Sequence, residues 1–235
     1  MDAIILVGGS GTRLRSVVSD VPKPLAPIGR RPFLDILLDQ LNGFGAVRKV
    51  VLAVGYKAEQ IIQRYRGCNT YRFDIAFSTE DEPLGTGGAI KKALPLTNSV
   101  QVLVMNGDSY VEFELAKLRD EHKASHATAT LVVAKVDNID RYGSVRIDMQ
   151  TRRVARFLEK ESTHGDGWIN AGCYLMERAS FDSVECGKPI SLEREILPAL
   201  VFKDAVYAHM SAGRFIDIGT PESYDTAGKM LAGCS

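Results

Sequence analysis

The chain has 235 residues, 45% of them hydrophobic, with 29 Lys and Arg set against 29 Asp and Glu. That length buries one full α/β core and leaves two domains cramped, and a net charge of zero offers no attracting field to nucleic acid or an anionic membrane. No apolar run reaches the ~20 residues that span a bilayer, and a start with Asp2 and no basic stretch is unlike a signal peptide. Residues 3–7 are an unbroken apolar run bounded by glycine, which predicts a strand buried on both faces at the centre of a parallel sheet. GGSGTRL follows at 8–14. Its glycines turn the backbone sharply and keep Cβ atoms away from a ligand, and the N–H groups of such a turn, beside a possible helix start, suit an anion. Arg13 adds a planar cation for phosphate oxygens, and Lys23 is held on a stiff segment between Pro22 and Pro24. The stretch therefore offers a glycine cradle and two cations to a polyphosphate. It is not a Walker loop, because Thr12 and Arg13 follow Gly11 where Lys and Ser/Thr are needed. The dinucleotide pattern also fails: Leu14 stands at its third glycine, and residues 50–55 end without an acid.

Further on, the periodicity predicts a helix over 33–41, a strand over 49–54, a helix over 58–65 and a strand over 73–78. Strand–helix–strand repeated in this way argues a parallel sheet with helices on both faces, its strand ends gathered at one ligand-binding edge. Residues 80–89, EDEPLGTGGA, leave the third strand and open a helix expected over 89–94. A fourth buried strand, 100–105, delivers Asn106, Gly107 and Asp108 at its carboxyl end. A carboxylate there suits Mg²⁺ riding on phosphates; a turn or N-cap role is the other reading. A helix over 113–124 and a β-branched strand over 128–136 follow. RYGSV at 141–145 turns into a further strand, and a strand over 154–160 ends in Glu159 and Lys160. A strand over 168–175 carries Asn170, whose amide both donates and accepts. Ser191 caps a helix that Pro198 interrupts or ends, residues 206–209 read as an edge strand, and Asp217 is a second candidate magnesium ligand. Pro221 stands in the first turn of the last helix. His122, His126, His164 and His209 form no ligand spacing. Cys68, Cys173, Cys186 and Cys234 match no zinc pattern and read as reduced thiols of a cytoplasmic protein.

GGSGTRL followed by VPKPL resembles the signature of the sugar-1-phosphate nucleotidyltransferases, which join a nucleoside triphosphate to a sugar 1-phosphate and release pyrophosphate. The resemblance continues through LGTGG (84–88), NGD (106–108), EK (159–160), NAG (170–172) and DIGTP (217–221), across nearly the whole chain. It implies a Rossmann-like three-layer α/β/α nucleotidyltransferase fold with a mostly parallel mixed central sheet, in one domain over 1–235. The N-terminal part would bind nucleotide and roughly residues 110–220 the sugar phosphate. Nucleotide contacts are implied for Leu6, Gly8, Gly9, Gly11, Thr12, Arg13, Lys23, Glu80, Gly85, Thr86, Asn106 and Asp108. Gly143, Glu159, Lys160 and Asn170 are implied on the sugar side, although Glu159 and Lys160 also read as a surface ion pair. Arg13, Lys23, Asp108 and Lys160 would act in catalysis, and Asp108 with Asp217 would hold Mg²⁺.

The same resemblance makes 80–89 the nucleobase loop. In uridylyl- and thymidylyltransferases of similar pattern a glutamine stands five residues before the Gly of Gly-Thr; here Glu80 does. A uracil or thymine edge, one N–H between acceptors, suits an amide. Guanine offers two adjacent donors, N1–H and N2–H₂, which a carboxylate accepts together. Such charge-assisted bonds are worth ~1.5–3 kcal/mol, enough for a preference for GTP. Glu82 serves instead in a shifted register, and the other reading makes these acids loop charges or a helix N-terminal complement. The short architecture with ILVGGSGTRL, EPLGTGG and NGD is most similar to bacterial D-glycero-α-D-manno-heptose 1-phosphate guanylyltransferases, which make GDP-heptose for capsule, lipopolysaccharide or surface-layer glycans. Mannose-1-phosphate guanylyltransferases and N-acetylmuramate-1-phosphate uridylyltransferases are the alternatives. A catalytically silent nucleotide-sugar-sensing subunit is a remote one, opposed by the presence of Arg13, Lys23 and both aspartates. The expected partners are GTP or another triphosphate and a sugar 1-phosphate, with no nucleic acid and no membrane. Homo-oligomer formation stays open. The absence of a C-terminal β-helix or regulatory helices argues against acyl transfer and an appended regulatory domain.

Overall fold

In the computed structural model, which describes residues 1–142, 144–158 and 165–231, strand β1 (Asp2–Leu6) leads into the glycine loop. A two-residue ladder follows, β2 (Pro27–Ile28) with β3 (Arg31–Pro32). Helices and strands then alternate as α1 (Phe33–Gly43), β4 (Lys49–Val54), α2 (Ala58–Tyr65), β5 (Asp74–Thr79), α3 (Gly85–Ala93) and β6 (Gln101–Asn106). Next come β7 (Ser109–Val111), α4 (Leu115–Ala124), β8 (Ala129–Val136), β9 (Ser144–Ile147), β10 (Val154–Leu158) and the long β11 (Gly167–Glu177). α5 (Leu197–Val201), β12 (Val206–Ser211), β13 (Phe215–Asp217) and α6 (Pro221–Leu231) complete the described elements. None of the described helices is long and apolar enough to cross a membrane.

β1 lies between β4 and β6, parallel to both, with β5 parallel outside β4. Beyond β6 the direction changes: β11 is antiparallel to β6, β8 to β11, and β12 joins β8 in parallel. β9 and β10 attach antiparallel at the start of β11. Followed through these pairings, β1, β4, β5, β6, β8, β9 and β12 point one way and β10 and β11 the other, so the sheet is mixed and mostly parallel. Side chains alternate across it. Ala3, Ile5 and Val7 face the layer of α1, α2, α4 and α6, while Ile4 faces α3 and α5. Burial on both faces is why β1 is apolar throughout.

Two elements differ from their sequence expectation. α3 begins at Gly85, four residues before the expected start, although glycine disfavours helix. Packing overrides propensity there: a Cβ on Gly87 would stand 2.6 Å from Ile196 Cδ1. The segment after Ser191 is a π-helical turn, Leu192–Ile196, which accommodates Pro198 in the first turn of α5. Ser191 does cap it, accepting from Arg194 N. Gly107 sits where a Cβ would come within 2.6 Å of both Leu6 O and Val7 Cγ1. Gly107→Ala is expected to cost ~1–3 kcal/mol by overpacking, lowering the melting midpoint by several degrees. Thermal denaturation reads this; an unchanged midpoint would show that the turn relaxes at no cost.

Candidate active site

The parallel strands end at one edge, so the segments after β1, β5 and β6 converge there. Three adjoining cavities of about 290, 210 and 340 Å³ occupy this edge, and Asp108 lines all of them. The first lies against Leu6, Gly8, Glu80, Gly85 and Thr86; the second against Gly11, Thr12, Arg13 and Lys23; the third against Tyr142, Asn170 and Asp217. Gly9 is shared by the first two and Arg13 by the last two.

The glycine loop opens a single 3₁₀ turn, Thr12–Leu14, rather than a longer helix. Gly11 enters it at φ 57°, and the buried Leu14 anchors it with Leu14 N donating to Gly11 O at 3.1 Å. Positive φ is why glycine stands at 11. Arg13 is exposed and makes no ion pair with any described residue, so its guanidinium is available to an anion. Lys23 follows the extended Pro22, and its Nζ donates to Asp108 Oδ2 at 2.6 Å. The lysine side chain is only 11% exposed. The other Asp108 oxygen accepts a long 3.4 Å bond from Ser109 Oγ.

Asp217 is held from several sides. Its Oδ2 accepts from the Tyr142 hydroxyl at 2.6 Å and from Arg141 at 3.3 Å; its Oδ1 accepts from Gly219 N at 2.7 Å and Ser223 Oγ at 3.1 Å. Burial, reinforced by the Asp217 carboxylate, pushes the Tyr142 phenol well above its usual range and keeps it a donor. Among the described residues no three His, Cys, Asp or Glu form a metal cage. Asp108 and Asp217 nevertheless line the third cavity together, and such a pair fits Mg²⁺, which usually takes one or two protein carboxylates and leaves the rest to phosphate and water.

Glu80 lines the first cavity, whereas Glu82 is exposed and does not. Glu80 Oε2 accepts from Leu84 N at 3.1 Å. Burial pushes the carboxyl above its usual range, against the Leu84 N–H and Lys92, which pull it down. Asn106 reaches the first and third cavities, and its buried Oδ1 finds no hydrogen-bond partner among the described residues. Asn170 Oδ1 accepts from Gly172 N at 3.0 Å, next to a register shift between β11 and β8. Thr86 lines the first cavity, but its hydroxyl is spent inside the protein, donating to Glu193 and accepting from Leu192 N. Gly143, Glu159 and Lys160 lie outside the described residues, as do His164 and Cys234. His122 meets Thr130 and Glu177, and His209 meets Glu121, both away from the three cavities. The structure adds Arg141, Tyr142 and Ser223 as supports of Asp217. Arg141 and Tyr142 reach it from 76 and 75 residues away, from the segment before β9, which no spacing pattern announces.

Comparison with known proteins gives a consistent result. The family described as nucleotidyl transferase matches residues 2–232. The D-glycero-alpha-D-manno-heptose 1-phosphate guanylyltransferase of Aneurinibacillus thermoaerophilus is 41% identical over 231 residues, 98% of each chain. The mannose-1-phosphate guanylyltransferase of Mycobacterium tuberculosis is 36% identical over 95% of this chain, which spans 62% of that protein. The crystal structure of HddC from Yersinia pseudotuberculosis complexed with GMP-PN superposes with a TM-score of 0.86 at 36% identity, covering 98% of this chain and 99% of that one.

Proposed function

Because the chain belongs to the nucleotidyl transferase family, we propose that it transfers GMP from GTP to a sugar 1-phosphate and releases pyrophosphate. The sugar in this reading is D-glycero-α-D-manno-heptose, and the product, GDP-heptose, serves surface-glycan synthesis from the cytoplasm. The observation that carries the guanine assignment is Glu80: it lines the first cavity, its Oε2 takes one hydrogen bond from Leu84 N and no described residue bonds its Oε1, so both oxygens keep acceptor capacity for guanine. The heptose assignment is supported by the similarity to the Aneurinibacillus enzyme over 98% of both chains. Mannose 1-phosphate is the second reading, supported by the Mycobacterium relative.

A phosphate oxygen of the sugar 1-phosphate attacks the α-phosphorus of GTP in line. One P–O bond forms, the α–β bridge breaks, and its electrons leave on pyrophosphate, so no enzyme nucleophile is required. The protein's work is positioning and charge stabilisation. Glu80 holds the base in the first cavity. The glycine loop and Arg13 take the β- and γ-phosphates in the second and retain the leaving pyrophosphate. Lys23, with its Nζ at the junction beside Asp108, meets charge as it builds on the α-phosphate. Asn170 faces the sugar, and Lys160, Glu159 and Gly143 are assigned to the sugar phosphate and hydroxyls. Members of the family generally use a divalent metal; taken here as Mg²⁺ and held by Asp108 and Asp217, it would supply Lewis-acid charge at the α-phosphate.

Pyrophosphate release tests this reading, with four nucleoside triphosphates against heptose, mannose, glucose and N-acetylmuramate 1-phosphates. GTP with the heptose phosphate is expected to be the best pair. UTP with N-acetylmuramate 1-phosphate as the best pair would overturn the guanine and heptose assignments. In the same assay Glu80→Gln is expected to cut the GTP-over-UTP preference by about tenfold or more, the equivalent of ~1.5–3 kcal/mol. Only the ionised carboxylate accepts both guanine donors, and burial raises its pKa. The wild-type preference should therefore fade as pH drops, beginning above the ordinary carboxylate range, and Glu80→Gln should show no such fade.

A further inference from the structure

The glycine loop and the two aspartates leave one part-buried polar connection unused. It begins at Thr86 on the first cavity and ends at Asn170 on the third. Thr86 Oγ1 donates to Glu193 Oε2 at 2.7 Å; the Tyr174 hydroxyl donates to Glu193 Oε1 at 3.4 Å; Asn170 Nδ2 donates to the Tyr174 oxygen at 2.7 Å. Ser191 Oγ also reaches Glu193 Oε2 at 3.3 Å. Tyr174 is fully buried, and that burial raises its phenol far above the usual range, so it stays a donor to the carboxylate. We infer that Glu193 is a positioning residue that couples the two substrate cavities, its carboxylate accepting Thr86 on the nucleotide side and Tyr174, hence Asn170, on the sugar side.

Three features favour coupling over a merely structural role. The backbone of this region is already stitched without Glu193: Ile190 O accepts from Gly87 N at 2.9 Å and Gly88 N at 3.3 Å, and Ile190 N donates to Leu84 O at 2.9 Å. The carboxylate adds what those bonds lack, a link across to β11. Glu193 also sits on the π-helical turn Leu192–Ile196, a form often found at functional sites. Lastly, each end of the chain is a side chain lining a cavity, so ordering one end lowers the cost of ordering the other. The inference rests on the reading that the first cavity takes the nucleotide and the third the sugar phosphate.

The test uses whichever substrate pair the wild type turns over in the panel above; failure of every pair would sink the functional reading, separately from this one. With that pair, sugar-phosphate affinity is measured by calorimetry with and without the α,β-methylene analogue of the triphosphate. Wild type is expected to bind sugar phosphate at least fivefold more tightly with the analogue present. Tyr174→Phe, which cuts the chain but keeps Thr86 on Glu193, should bring that factor close to one. It should raise the sugar-phosphate KM several-fold and leave the triphosphate KM within about twofold. Glu193→Ala should raise both KM values, and Glu193→Gln, whose single acceptor oxygen can hold Thr86 or Tyr174 but not both, should also lower the factor. A wild-type factor of one, or an undiminished factor in both Tyr174→Phe and Glu193→Ala, overturns the inference. So does a full wild-type factor in Glu193→Gln.

Discussion

Lys23→Ala is expected to lower kcat by about two to three orders of magnitude, the loss seen when one preorganised donor to a developing anion is removed. The physical case lies in how little freedom the lysine has. Its backbone is set by Pro22 and Pro24, its side chain is 11% exposed, and its Nζ stands 2.6 Å from Asp108. The ammonium is thus in place before charge grows on the α-phosphate and needs no reorganisation when it does. The fold should survive, because Asp108 is 43% exposed and water can replace its lost partner. Lys23→Arg should not rescue turnover. A guanidinium is planar and bulkier than an ammonium, and the lysine side chain is already enclosed to 11% exposure with its Nζ on Asp108. Steady-state kinetics with a melting curve decides the matter: near-normal kcat in a folded Lys23→Ala protein would remove Lys23 from the chemistry.

Asp108→Asn combined with Asp217→Asn should abolish magnesium-stimulated turnover, a loss of at least three orders of magnitude, since the metal's charge is worth several kcal/mol to a phosphoryl-type transition state. The amides keep the size of the carboxylates, and an amide oxygen at 217 still accepts from Gly219 N and Ser223 Oγ, so the loop should hold. What disappears is the pair of negative charges. Metal binding gives a second readout: Mn²⁺ titration with the unreactive triphosphate analogue should show weakened metal binding in the double variant and not in Glu80→Gln. Magnesium-stimulated activity surviving the double substitution would place the metal on other residues.

Much of the site was legible because its chemistry is local. An apolar run ending in Gly8, a lysine between two prolines, and an acid after a β-branched or apolar strand are patterns within about ten residues. Parallel strands joined by right-handed crossovers then bring their ends to one edge. That is why Gly8, Glu80 and Asn106 come to line one cavity, and why α2 lies over the expected residues 58–65. Other features depend on contacts between distant segments. α3 starts at Gly85 because residues 188–196 pack against it, a contact across about a hundred positions that overrides the helix-breaking tendency of glycine. The choice of Glu80 over Glu82 as the cavity acid needed the path of the loop after β5. Tyr142 meets Asp217, and Thr86 meets Glu193, at separations of 75 and 107 residues. Periodicity and composition carry no information at that range. Such pairs exist only once β11 has reversed the direction of the sheet beside β6 and β13 has paired with β7, carrying Asp217 to the edge where Asp108 already stands.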